Sequence, residues 1–168
     1  MFSKQLTLSS RSLFALLALG AFAIDAGGIT LQTLLKLDPC PLCIFQRLIY
    51  MVLCLLGLVG IFLSNPLAHR RLAVGVLSIS LIGWATAAYQ SWIQAFPEAA
   101  KDTCRYTDPN LIEQFVDWLG MLYPPLFMAT GFCTDKAFVL LGLSMANWSL
   151  LTLTAIVGTI LWRLRRPA

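Results

Sequence analysis

Four stretches of this chain stay apolar for about twenty residues each, the length of α-helix that crosses the hydrocarbon of a bilayer. They run from about Ser12 to Leu35, Ile44 to Leu63, Leu72 to Phe96 and Trp148 to Leu164. Lipid offers no hydrogen bonds, so a spanning segment must satisfy its own backbone, and each stretch is predicted to be a helix. Composition agrees. Of 168 residues, 58% are hydrophobic and 12% charged, where a soluble domain carries about a quarter charged. That apolar surplus calls for lipid around the protein rather than a larger core inside it. The expected fold is an all-α membrane protein. It is a four-transmembrane-helix bundle forming one integral membrane domain over residues 1–168, with loops at about 36–43 and 97–147.

Lysine and arginine positions choose the orientation. Lys4, Arg11, Arg70, Arg71, Arg163, Arg165 and Arg166 fall in short segments on one face. Lys36, Arg47, Lys101, Arg105 and Lys136 are spread over a longer length on the other. Both termini are therefore expected in the cytoplasm, with the two cysteine-bearing loops outside, in the periplasm of a bacterium. The basic residues sit at segment ends and form no stripe with aromatics, which argues against a nucleic-acid surface. Ala21-Phe22-Ala23 loosely mimics a signal-peptide cleavage site, but the apolar run continues past it, so an uncleaved anchor is expected. Ser64-Asn65-Pro66 is expected to end the second span, and His69 reads as a solvated residue of a short link.

The long loop carries Cys104 and Cys133, 29 residues apart. Asp108-Pro109 reads as a helix start between them. Leu111, Phe115, Trp118 and Leu122 recur at helical spacing, widened by Ile112, Val116 and Leu119, with Glu113 and Asp117 on another face. This is either a short interfacial helix or a helix packed on the ends of the spans. Tyr123-Pro124-Pro125 ends it. Gly131 next to Cys133 is expected to permit an unusual backbone angle in a segment able to move that cysteine.

Five cysteines is an odd number, and Cys54 inside an apolar run reads as a packing residue. The chemistry-bearing pair is Cys40-Pro41-Leu42-Cys43 at the head of the second span. Two thiols at this spacing can close a small disulfide and exchange electrons in pairs. Cys40 fits as N-cap and Pro41 as first helical residue, which places Cys43 in the first turn. The helix dipole favours negative charge there by about 0.3–1 kcal/mol at exposed sites and up to ~2 in partly buried ones. Arg47 lies four residues on, on the same face, and adds a cation. Both favour the thiolate, the form that attacks disulfides and quinones. Interfacial snorkelling is the plain alternative for Arg47. Zinc is a poor use of these cysteines, because one pair is close and the other widely split. A scaffold held by structural disulfides remains open at this point. Asp25, near the middle of the first span, reads as a neutral carboxylic acid hydrogen-bonded in the bundle, since a charge there costs about 2.5–3.5 kcal/mol. Gly27-Gly28 after it would let a neighbouring helix approach closely.

Four spans, Pro39-Cys40-Pro41-Leu42-Cys43, Arg47, the loop cysteines and Leu141-Gly142-Leu143-Ser144-Met145 before Trp148 together make the chain resemble the bacterial disulfide-bond formation protein B (DsbB) family. Those proteins are inner-membrane thiol:quinone oxidoreductases. The resemblance covers nearly the whole chain. It implies that a reduced, DsbA-like thioredoxin-fold oxidase of the periplasm attacks a Cys104–Cys133 disulfide through Cys104. It further implies that Cys133 exchanges with Cys40, and that Cys43 passes electrons to a quinone (ubiquinone or menaquinone), with Arg47 stabilising the developing anion. Catalytic Cys40, Cys43, Cys104 and Cys133, and cofactor-binding Arg47 and Cys43, follow from it. Some relatives carry histidine near Gln90 and an acidic residue near Gln46, and Ala146 stands where a proline is expected. A vitamin K epoxide reductase-like protein also has four spans and a Cys-x-x-Cys, but there the active pair comes after the loop cysteines.

Overall fold

The computed structural model describes residues 10–100, 110–136 and 138–165. Four of its helices are long and apolar enough to cross a membrane: α1 (Ser10–Leu35), α2 (Pro41–Phe62), α3 (Pro66–Ala95) and α6 (Met145–Arg165). The chain is an all-α, multi-pass membrane protein. A 3-10 turn (Pro97–Ala100), α4 (Leu111–Leu122), the single turn α5 (Pro124–Phe127) and a two-residue hairpin, β1 (Val139–Leu140) with β2 (Leu143–Ser144), fill the long connection between α3 and α6.

Local chemistry sets the helix ends. Cys40 caps α2 and Pro41 is its first residue, where a missing N–H costs nothing. Asn65 caps α3 through Leu67 N at 2.9 Å, again with proline first. At 30 residues α3 is about 45 Å long, more than the hydrocarbon requires. It therefore begins six residues before the predicted boundary and takes His69, Arg70 and Arg71 into its first turns. His69 is not a solvated loop residue. Its ring stacks on Phe14 at 5.5 Å and its Nε2 lies 2.9 Å from the Gly60 carbonyl. Asn110, not Asp108, caps α4. Its side chain accepts from Ile112 and Glu113 while Glu113 reaches back to its N–H, a complete capping box. Asp108 and Pro109 lie outside the described residues.

α1 packs along α2, α2 against α3, and α3 along α6. The shared core includes Phe14, Ile49, Leu53, Val76, Ala87 and Leu153. Large apolar side chains on the outer faces, such as Leu19, Phe22, Phe62 and Trp162, stay exposed for lipid. Close approach does not occur at Gly27 and Gly28, where a β-carbon would meet nothing nearer than Met145 Cε at 4.0 Å. It occurs at Gly57, where a β-carbon would lie 2.8 Å from Ala18 N and 2.9 Å from Phe14 O. On α4 only Val116 is buried, and Leu111, Trp118, Met121 and Leu122 remain exposed. That pattern suits a helix lying at the interface.

Backbone atoms cannot yield as side chains do, so Gly57→Val should push α1 from α2. A loss of about 1–3 kcal/mol is expected, read as a lower thermal unfolding midpoint in detergent. The same change at Gly27 should leave the midpoint nearly unmoved.

Candidate functional site

Cys40 and Cys43 occupy the cap and first turn of α2, as their spacing requires. Cys40 Sγ accepts the Cys43 N–H at 3.3 Å, a capping bond that turns the first sulfur back over the helix end. The two sulfurs lie 2.8 Å apart. Cys40 is buried and also in hydrogen-bonding contact with Cys133. That contact, then the bond to Cys43, then burial, hold the Cys40 thiol well above its ordinary pKa. Either thiol can donate in the Cys40–Cys43 contact. Three sulfurs stand in sequence: Cys133, Cys40, Cys43. Cys104 lies outside the described residues. Cys54 sits within α2 against the bundle core, as a packing residue.

Cys133 is held there by the backbone. The N–H groups of Thr130 and Gly131 both donate to the Pro39 carbonyl, at 3.0 and 3.1 Å. Thr130 Oγ1 donates to Asp38 Oδ1 at 2.8 Å. Gly131 has no positive φ, contrary to its expected role. Its lack of a side chain matters because a β-carbon would collide with the Asp38 carbonyl. The segment expected to be movable is therefore fastened to residues 38–39. A second tie follows it: Gln94 donates to the Asp135 carbonyl at 3.2 Å and accepts from Ser144 Oγ at 2.6 Å.

Arg47 does not snorkel. Its side chain is 10% exposed and bonded on three sides. Nη1 donates to the Leu126 carbonyl at 2.6 Å, Nη2 to Gln32 Oε1 at 2.5 Å, and Nε faces Asp25 Oδ1 at 3.7 Å. Asp25 and Gln32 are seven residues apart, two turns along one face of α1, so both reach the same guanidinium. Asp25, expected as a neutral acid hydrogen-bonded within the bundle, faces the Arg47 guanidinium. Such planar, multi-donor anchoring is what arginine does and lysine does not.

Sequence reasoning noted Gln46 and Gln90 only as departures from relatives. Both are buried, and Gln90 lies directly on the sulfurs. Gln90 Nε2 is 3.2 Å from Cys40 Sγ and 3.1 Å from Cys43 Sγ, and Gln46 Nε2 donates to Gln90 Oε1 at 2.8 Å. An uncharged polar residue near the end of each span was the available signal.

Because α1 and α6 are separated by α2 and α3 in the packing order, a crevice remains between them. It is a cavity of about 370 Å³, within the usual range for small-molecule sites. Gly27, Gly28 and Leu31 form one wall, Met145, Trp148 and Ser149 the other. Cys43, Arg47 and Gln90 lie at one end. Tyr50, whose hydroxyl bonds Thr152 Oγ1 at 2.6 Å and Ser149 Oγ at 3.1 Å, also lines it. The lining is mainly apolar with a few placed polar groups, which fits a flat, carbonyl-bearing lipid such as a quinone.

Comparison with known proteins agrees with this architecture. Residues 10–163 match the family described as disulfide bond formation protein DsbB. A protein of Dechloromonas aromatica named disulfide bond formation protein B is 53% identical over 149 residues, covering 88% of each chain. Proteins of the same name from Aromatoleum aromaticum and Nitrosomonas europaea are 35% and 34% identical, covering 88% and 92% of this chain and 88% and 94% of their own.

Gly131→Ala should lift Cys133 off Cys40. In a chain retaining only those two cysteines, oxidant-driven Cys40–Cys133 cross-linking should slow about tenfold, the kinetic equivalent of a modest steric penalty. Mass-spectrometric quantitation of the cross-link checks this.

Proposed function

The chain belongs to the disulfide bond formation protein DsbB family, and we propose that it reoxidises a periplasmic DsbA-like thioredoxin-fold thiol oxidase and passes the electrons to membrane quinone. The observation that carries this reading is the line of sulfurs from Cys133 through Cys40 to Cys43, ending at an apolar cavity beside Arg47. The proposed setting is the bacterial inner membrane, with both termini cytoplasmic. Arg11, Arg70, Arg71, Arg163 and Arg165 at one end of the bundle support that orientation.

In the oxidised enzyme Cys104 pairs with Cys133 and Cys40 with Cys43. A partner thiolate attacks Cys104, forming a mixed disulfide and releasing Cys133 as thiolate. Cys133, already against Cys40, attacks that sulfur. The Cys133–Cys40 bond forms, the Cys40–Cys43 bond breaks, and Cys43 leaves with the electron pair. Departure from Cys43 rather than Cys40 is favoured because Cys43 lies in the first turn of α2, one turn before Arg47. The partner's second thiolate then displaces Cys104, and the partner leaves as a disulfide. The Cys104 thiolate attacks Cys133, the Cys104–Cys133 bond re-forms as the Cys133–Cys40 bond breaks, and Cys40 takes up a proton as a thiol. Two electrons now rest on the Cys40–Cys43 pair, with one proton on Cys40 and Cys43 as thiolate.

Cys43, Arg47 and Gln90 would hold a quinone in the cavity, against the apolar walls of α1 and α6. When bound it supplies a two-electron, two-proton acceptor, whose pull lets a strongly oxidising partner be regenerated. Arg47, fixed by Asp25, Gln32 and Leu126, keeps a positive charge at the Cys43 end without rearranging, the condition under which electrostatic stabilisation is most effective.

Cys43→Ser should reduce partner-driven quinone reduction at least about a thousandfold, as loss of a nucleophile does. The Cys104–Cys133 bridge should still form. Quinone absorbance and disulfide mapping of the reconstituted protein check both, and unchanged quinone turnover would contradict the assignment.

A further inference from the structure

We propose that Gln90 is a positioning residue for the Cys40–Cys43 pair, and that Gln46 fixes which way its amide points, so that one neutral N–H donor faces both sulfurs. This rests on the reading of that pair as the electron-transferring dithiol.

A carboxamide has a donor end and an acceptor end of nearly the same shape. A sulfur that carries negative charge can only accept. An amide presenting its oxygen would oppose the charge, and Gln90 is 1% exposed, so water is poorly placed to correct a wrong orientation. Gln46 couples its own amide to that of Gln90. Its N–H group sits on Gln90 Oε1 at 2.8 Å, which leaves the Gln90 NH2 for the sulfurs. The distances of 3.2 and 3.1 Å to Cys40 and Cys43 are nearly equal. Charge can therefore develop on either sulfur during exchange without a side-chain movement. Neither glutamine titrates, so the polarity of this donor is the same at every pH the cell meets. A cation would add a charge to a buried site already facing Arg47, and a carboxylate would repel the thiolate. The neutral amide pair avoids both.

The test is alkylation of the fully reduced, full-length protein in detergent at fixed pH, resolved by mass spectrometry at Cys43, with Cys54 as internal reference. In Gln90→Leu the Cys43 rate should fall about tenfold or more, the scale of a hydrogen bond to a charged group. Gln46→Glu should produce a similar loss, because a carboxylate draws the Gln90 NH2 to itself and turns its oxygen to the sulfurs. The double variant Gln46→Leu, Gln90→Leu removes both buried amides together and so preserves packing. It should show the same loss. Recovery of the normal rate in the double variant would reduce Gln90 to a packing role and overturn the proposal. An unchanged rate in Gln46→Glu would overturn it equally. Neither quinone nor partner enters this measurement. The proposal can thus fail while the assigned electron transfer stands, and failed quinone reduction by the unaltered protein would leave this result untouched.

Discussion

One carbonyl oxygen, that of Pro39, accepts two backbone N–H groups from the far end of the long loop, and the sulfur line depends on it. Proline at 39 and again at 41 keeps this stretch extended up to the helix start, with the Pro39 carbonyl turned outward. Thr130 and Gly131 close on it, Asp38 adds a side-chain bond, and the absence of a β-carbon at Gly131 permits the approach. Cys133 is then delivered to Cys40. Two segments more than ninety residues apart in sequence meet through main-chain atoms, which demand specific side chains at very few places.

The bundle supplies the other half of the site. α2 is the central helix, with α1 on one side and α3 followed by α6 on the other. The crevice between α1 and α6 opens on Cys43, while the long loop meets Cys40. Polar side chains around the cavity are paired: Arg47 with Asp25 and Gln32, Gln90 with Gln46 and the cysteines, Tyr50 with Ser149 and Thr152. In a medium without water an unpaired polar group costs free energy. Pairing also fixes their geometry, and fixed geometry is what electron transfer between thiols and a small acceptor requires.

Much of the architecture was legible from the residues. Twenty-residue apolar runs place the spans, Cys40-Pro41 marks the head of α2, and the Leu111–Leu122 periodicity marks α4. What could not be seen follows from packing. Spacing along α3 does not reveal that Gln90 faces α2 beneath two sulfurs, because Ser91 and Gln94 near it are polar too and spacing does not name the helix that a face meets. A bundle partner was expected for Asp25, but its identity as Arg47 was not visible because it is on another helix. Gly27 and Gly28 invited a close helix contact, whereas the contact sits at Gly57 and those glycines shape the cavity wall. The hairpin of Val139–Ser144 was missed because its turn places Leu141, not a glycine, at φ 53, with only Gly142 at φ 80 as a signal. Family resemblance carried the cysteine roles further than periodicity could, since no local pattern joins Cys133 to Cys40.

The central claim is that electrons pass from Cys133 to Cys43 by way of Cys40. Its most direct measurement is disulfide mapping of the chain trapped with a thioredoxin-fold oxidase on Cys104, the partner's second cysteine having been replaced so that the mixed disulfide persists. A Cys40–Cys133 bond with Cys43 open to alkylation is the expected result. A closed Cys40–Cys43 bond with Cys133 left as a thiol would contradict it.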